Sequence, residues 1–207
     1  MDRCLYCNQS LEHGATLIEL LINHDVLCPM CRHELIRNKK KFSINNIPVD
    51  ARYIYNDFFS SLLVQYKDCM DEALKSVFLF NYRLIFHVKY WGYTLVPMPS
   101  SKDKIKDRGF NHVLGMFEWC KNEKYCCLEK TSNQKQVTST SIQRQKMIGN
   151  IRCTKDVKHI KKILLVDDVC TTGSTLKGAL EALSSFEGKI KIFVIATHPL
   201  NLKKVVR

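Results

Sequence analysis

The sequence has no uninterrupted apolar run of the roughly 18 residues that a membrane-spanning helix needs. Its best stretch, "SVFLFNYRLIFHVKYWGYTLVPMP", is broken by Arg83, His87 and Lys89. A secretory leader is also missing. The early apolar segment "ATLIELLI" lies between cysteines and contains Glu19, unlike the uncharged core of a signal peptide. Together these absences predict a cytoplasmic protein. No GxxxxGK followed by Ser or Thr occurs, so a P-loop is excluded. No internal repeat is visible.

Apolar residues are not scarce. They make up 45% of 207 residues, enough for one ordinary domain plus a small appendage and too much for a disordered tail. The net charge is +12, and it is unevenly spread: residues 1–50 carry six basic and six acidic side chains, whereas 101–207 carry 21 and 10. A basic surface attracts nucleic acid or phosphorylated ligands. The bland alternative is a solvated, solubilising face.

The ten cysteines fall into two groups. Cys69, Cys120, Cys126, Cys127, Cys153 and Cys170 are scattered among apolar residues and read as reduced, partly buried thiols. The other four form "CLYC" at 4–7 and "CPMC" at 28–31, with a spacer of twenty residues. Each CxxC turn aims two thiolates at one point, and two turns complete a tetrahedral site. The expectation is structural zinc on Cys4, Cys7, Cys28 and Cys31; a redox dithiol and an iron–sulfur centre are the rivals. His13, His24 and His33 read as surface residues or neighbours of that site. Residues 1–45 are therefore expected to be a zinc-binding module, with metal binding supplying the stability that its small core lacks. Between the pairs, "ATLIELLIN" suits a short helix or hairpin, and "RNKKKF" reads as a basic linker.

Residues 46–207 alternate strand-like and helix-like patterns. "ARYIYN" reads as a strand. "DFFSSLLVQYK" reads as a helix with Asp57 placed to cap it, and 71–90 are helical in period. "YTLVPMP" is a strand stopped by prolines, "NHVLGMFEWCKNE" a helix and "YCCLEK" a short strand. "KILLVDD", "STLKGALEALSSF" and "KIKIFVIATH" give strand, helix, strand. Near-continuous apolar strands separated by helices predict an α/β fold with a parallel sheet covered on both faces. The polar stretch 131–162 reads as a long loop serving a site.

The segment "ILLVDDVCTTGST" joins a strand end, two adjacent carboxylates, a Gly-containing turn and a helix start. Ligands of open α/β sheets bind at that carboxyl edge. "TTGST" offers backbone N–H groups, hydroxyls and a helix N-terminus to an anion, while Asp167 and Asp168 suit hydroxyls or a metal. A sugar phosphate satisfies both halves. A phosphorylation-receiver fold fails because only 39 residues follow Asp168 and none is Asp. A plain capped helix leaves the carboxylate pair unexplained.

These residues resemble the phosphoribosyl-pyrophosphate (PRPP) signature of type I phosphoribosyltransferases. The resemblance gives Asp167 and Asp168 the ribose hydroxyls and Thr171, Thr172, Gly173, Ser174 and Thr175 the 5′-phosphate, with Val169 and Cys170 as further PRPP-binding residues. "VPMPSSKDKIKDRGFNHV" (96–113) is similar to the VPxP…RGFNQ block of the ComF (GntX-like) competence proteins, which also carry an N-terminal cysteine knuckle. "YNDFFSSLLVQYKDCMD" (55–71) falls where that family brings a lysine, here Lys67, towards the pyrophosphate. The chain departs from the family pattern at His112, in place of Gln, and at Met147, in place of Arg, while Asn150 is retained.

Within the RGFN block, Lys102, Lys104, Lys106 and Arg108 alternate in what reads as a loop, Gly109 permits a tight turn, and a helix starts near Asn111. These residues suit a pyrophosphate or a nucleic-acid backbone. Phe110, Trp91, Tyr93 and Trp119 are candidates for stacking on bases, though each is as readily core. The resemblance implies a late competence protein that binds single-stranded DNA and PRPP with Mg2+. It also implies a DEAD-box-like DNA helicase as partner and a cytoplasmic place peripheral to the DNA-uptake machinery. The alternative is an active salvage phosphoribosyltransferase, which needs a base-reading hood; turnover itself is left open.

Overall fold

The computed structural model describes residues 3–12, 15–16, 25–131 and 151–203. His13, His24, Met147, Asn150, most of "ATLIELLIN", residues 132–150 of the long loop and the side chain of Lys102 lie outside that description.

Among the described residues the strands are β1 (Phe42–Ile44), β2 (Ile47–Ile54), β3 (Thr94–Pro97), β4 (Leu128–Lys130), β5 (Ile151–Cys153), β6 (Lys162–Cys170) and β7 (Lys189–Thr197). The helices are α1 (Pro29–His33), α2 (Asp57–Lys67), α3 (Arg83–Lys89), α4 (Lys102–Arg108), α5 (His112–Met116), α6 (Ser174–Ala182) and α7 (Pro199–Lys203). The main sheet has the order β1-β2-β7-β6-β3, in which only the β1–β2 pair is antiparallel. The strands β4 and β5 form a separate antiparallel pair. The expected α/β architecture with a mostly parallel sheet is therefore present.

The centre of the sheet follows from its composition. Ile163, Leu164, Leu165 and Val166 of β6 and Ile192 to Ala196 of β7 are all buried, as consecutive apolar residues must be when helices cover both faces. One core lies on the α2 and α3 side, where Phe86 packs against Tyr90, Phe117, Trp119 and Phe193. The other lies under α6, with Leu176, Ala179, Leu180 and Leu183 on Leu165 and Val194.

Several local expectations change. Asn56, not Asp57, caps α2, its side chain accepting from the Phe59 N–H at 2.9 Å. Residues 71–90 are not one helix: two 3-10 turns, Glu72–Ser76 and Phe80–Tyr82, precede α3. Val77, Phe78 and Leu79 are all fully buried, and three consecutive buried positions do not fit one face of an α-helix. The helix read over 111–123 stops at Met116.

The stretch 102–108, expected as a loop, is the short helix α4. Ser101 caps it by accepting from the Lys104 N–H, and Gly109 ends it at φ 78°. Helical spacing then splits the cations into two rows, 102/106 and 104/108.

The N-terminal cysteines sit on the α2 side and share its core. Cys4, Leu27, Cys28 and Leu35 are buried in the same cluster as Phe59 and Leu62. Tyr6 meets Phe58 at 4.7 Å between ring centroids and Ser61 at 2.8 Å. Asp25 accepts from Arg32 and from Asn81, and Arg32 also donates to the Val77 carbonyl. No helix among the described residues is long and apolar enough to cross a membrane.

Candidate functional site

The carboxyl edge of the sheet collects most of the expected site. The strand β6 carries Asp167, Asp168, Val169 and Cys170 to that edge, Thr171, Thr172 and Gly173 turn there, and Ser174 and Thr175 open α6. Gly173 has φ 78°, and a Cβ on it would come within 2.7 Å of Ile44 Cδ1. Both the turn and the close packing of β1 therefore require glycine. Thr172 Oγ1 accepts from the Ser174 N–H and lies 3.0 Å from Ser174 Oγ. Thr171, Thr172 and Ser174 are exposed, so the helix start is open to solvent, and the first N–H groups of a helix have no partner within it.

Asn201, on α7, holds the turn from behind. Its amide Nδ2 donates to the Cys170 carbonyl at 3.0 Å and to the Thr171 carbonyl at 2.7 Å. Cys170 itself faces inward, and burial with the nearby Asp167 pushes its thiol up to about 11. Its side chain supports the turn rather than facing a ligand.

Asp168 is the centre of a convergent cluster. Lys67, the last residue of α2, pairs with Asp168 Oδ2. His112 Nε2 approaches the same oxygen at 3.3 Å, and the Val169 N–H donates to Oδ1 at 2.6 Å. Burial alone would raise the Asp168 carboxyl, but the His112 hydrogen bond and the Lys67 charge overcome it and hold the group well below the usual range. Asp167 goes the other way: burial, then the adjacent Asp168 charge, push it well above. The pair therefore titrates as one strong and one weak acid.

Burial also lowers His112, against the pull of Asp168, and favours the neutral ring. Its Nε2–H then donates to Asp168 and its Nδ1 accepts from Ser100 Oγ at 3.4 Å. The His112 carbonyl accepts from Tyr66 Oη at 3.0 Å, and Tyr66 Oη lies 2.5 Å from where a Cβ on Gly115 would stand.

The basic block lies on the same edge, because β3 ends at Pro97 beside Val166 and leads into α4. Arg108 pairs with Asp68 at 2.9 Å, next to Lys67, while Lys104 and Lys106 are exposed. Asn111 caps α5, its side-chain oxygen accepting from the Leu114 N–H at 3.2 Å. Of the stacking candidates, Tyr93 is buried and Phe110 and Trp119 pack on the core; Trp91 is exposed.

The four N-terminal thiols converge independently. Cys4, Cys7, Cys28 and Cys31 have their Sγ atoms within 4.8 Å of one another, and Cys7 to Cys28 is 3.7 Å. A tetrahedral ion with bonds of about 2.3 Å sets its sulfurs about 3.8 Å apart, so the cluster fits a metal. Burial works against ionising Cys4, yet the backbone groups of Cys7, Cys28 and Tyr6 bring its thiol down to about 7.

His112 entered the sequence reading only as a departure from a pattern. Asn201, Tyr66 and Ser100 gave no signal at all, because their partners are distant in the chain.

A family model described as the phosphoribosyl transferase domain matches residues 122–206. The competence protein ComFC of Streptococcus pneumoniae is 28% identical, over 92% of this chain and 98% of that protein. The competence protein ComFC of Bacillus subtilis is 30% identical, over 77% of this chain and 76% of that protein. A hypoxanthine phosphoribosyltransferase from Staphylococcus aureus overlays with a TM-score of 0.41 at 15% identity, covering 66% of this chain and 70% of that one; at that distance the overlay carries no argument. With both ComFC proteins matched over most of this chain and the phosphoribosyl transferase model matched over its C-terminal part, the chain belongs to the ComF family of phosphoribosyltransferase-like proteins.

Proposed function

We propose that this chain is a competence factor that binds PRPP with Mg2+ at the carboxyl edge and single-stranded DNA on its basic surface, with Zn2+ in the cysteine cluster. One observation carries the reading. A buried, ionised Asp168 with two cation-capable partners stands directly ahead of a glycine-turned helix N-terminus. Carboxylates of that kind accept from vicinal hydroxyls, while backbone N–H groups at a glycine-turned helix start donate to a phosphate. Lys67 is then close enough to exchange Asp168 for a pyrophosphate oxygen, and Lys104, Lys106 and Arg108 add positive charge on the same edge. Magnesium arriving with the pyrophosphate would neutralise part of its charge.

The competence role rests on the two ComFC relatives. A DNA helicase of the DEAD-box-like type is the partner proposed with it, at a cytoplasmic location beside the uptake machinery. Turnover as a salvage phosphoribosyltransferase is the alternative reading and is left open.

Calorimetric titration with PRPP and Mg2+ tests the reading. The intact protein is expected to bind, and Asp167→Asn with Asp168→Asn to lose binding while keeping its metal content and melting cooperatively. Unchanged affinity in that double variant would reject the assignment.

A further inference from the structure

At the opposite edge of the sheet, where β6 and β7 begin, lies an open cleft of about 990 Å3. It is formed by the segment leading from β5 into β6 and by the end of α6, and Arg152, Lys155, Lys158, Lys161, Phe186 and Gly188 line it. Asp156 and Glu187 are its acidic members, so four cations face two anions. Asp156 is already engaged, accepting from the Lys158 N–H at 2.9 Å. Lys158 and Lys161 are exposed and form no ion pair among the described residues. Arg152 reaches Glu129 only at 3.4 Å, and Lys155 lies 5.4 Å from the centroid of the Tyr125 ring.

The apolar wall is built, not incidental. A Cβ on Gly188 would meet Phe186 at 2.3 Å and the Lys161 carbonyl at 2.5 Å, so glycine lets the half-exposed Phe186 ring fold against the mouth of β6. Outside the lining, Tyr125 donates its hydroxyl to the carbonyl of the lining residue Asp156 at 2.9 Å. Unpaired cations along an open cleft with an aromatic ring in its wall are what an unpaired phosphodiester strand recognises: phosphates take the cations and a base stacks on Phe186.

We infer that this cleft, not the PRPP edge, is where single-stranded nucleic acid binds. The nine residues of β6 set the two sites about 30 Å apart, so strand and PRPP bind together without competing. This rests on the single-strand binding proposed above and assigns it a place.

Fluorescence anisotropy with a labelled oligo-dT separates the two claims. In Lys158→Ala with Lys161→Ala, affinity should fall on the order of tenfold and the salt slope should flatten by about 1.4, at about 0.7 per lost phosphate contact. PRPP titration and the melting temperature should not change, and saturating PRPP should not displace the strand from the intact protein. Full binding by this variant, with loss in Lys104→Ala with Lys106→Ala, would overturn the cleft and leave the broader reading standing. Displacement of the strand by PRPP would also overturn it. Displacement by poly-glutamate at equal concentration would assign the cleft to an acidic protein instead. No strand binding by the intact protein would overturn both claims.

Discussion

Lys67 and Asp168 stand 101 positions apart in the chain and meet as an ion pair at the mouth of the glycine turn. His112 completes the pair from a third element, so one carboxylate oxygen serves two donors. On the proposed reading, a ligand here offers Asp168 hydroxyls in place of Lys67 and offers Lys67 an anion in return.

The two carboxylates should respond to pH in opposite directions. Asp168 has a depressed folded pKa, so its stabilisation is present above the unfolded value of about 3.9 and lost as pH falls below it. Asp167 has a raised one, so its contribution is present below about 3.9 and lost as pH rises through the folded value. At pH 7, Asp168→Asn should destabilise on the order of 3 kcal/mol, by leaving Lys67 without its counter-charge. Asp167→Asn should stabilise. Denaturant melts of both variants at pH 7 and pH 3.5 check this, and the Asp168→Asn deficit should shrink at the lower pH.

Gly115→Ala should destabilise by about 1–3 kcal/mol, since the new methyl would overlap the Tyr66 hydroxyl. Removing that hydroxyl in Tyr66→Phe should cost about 1 kcal/mol alone. It should also relieve the clash, so the double variant is more stable than the sum of the single changes predicts. A double-mutant cycle from urea melts measures the coupling.

Asn201→Ala strips the Cys170 and Thr171 carbonyls of a shared donor, and Asn201→Asp sets a carboxylate against them. PRPP affinity should fall in both, more in the aspartate variant, with a lower melting temperature. Titration calorimetry beside a thermal melt separates loop loosening from global unfolding.

Metal analysis should find one ion per chain, lost on replacing Cys28 with Ser. Because Cys4 and Cys28 share a core with Phe59 and Leu62, chelation should destabilise α2 as well as the knuckle. Hydrogen exchange should then rise at 57–67, and an effect confined to residues before 35 would contradict the shared core.

The central strands were legible because each is a run of consecutive apolar residues, and the glycine turn because "DDVCTTGST" puts carboxylates, a glycine and a helix start in one short segment. The segments 71–90 and 102–108 were not. In the first, tertiary burial on all sides replaced a regular helix with 3-10 turns; in the second, Ser101 and Gly109 bracket a helix that charge alternation disguised. The chemistry of Asp168 was half visible. The carboxylate was plain, whereas His112 and Asn201 act through folded neighbours that no local pattern encodes.

The amide of Asn201 gives the turn a place in time as well as in space. Asp167, Asp168 and Gly173 are made before residue 201, and until then the Thr171 carbonyl lacks its Asn201 donor, and the Cys170 carbonyl lacks one of its donors. A nascent chain stalled between these points carries every residue of the turn, yet its turn is not fully held in shape. The shape of the turn is therefore completed late in synthesis, when α7 closes against it.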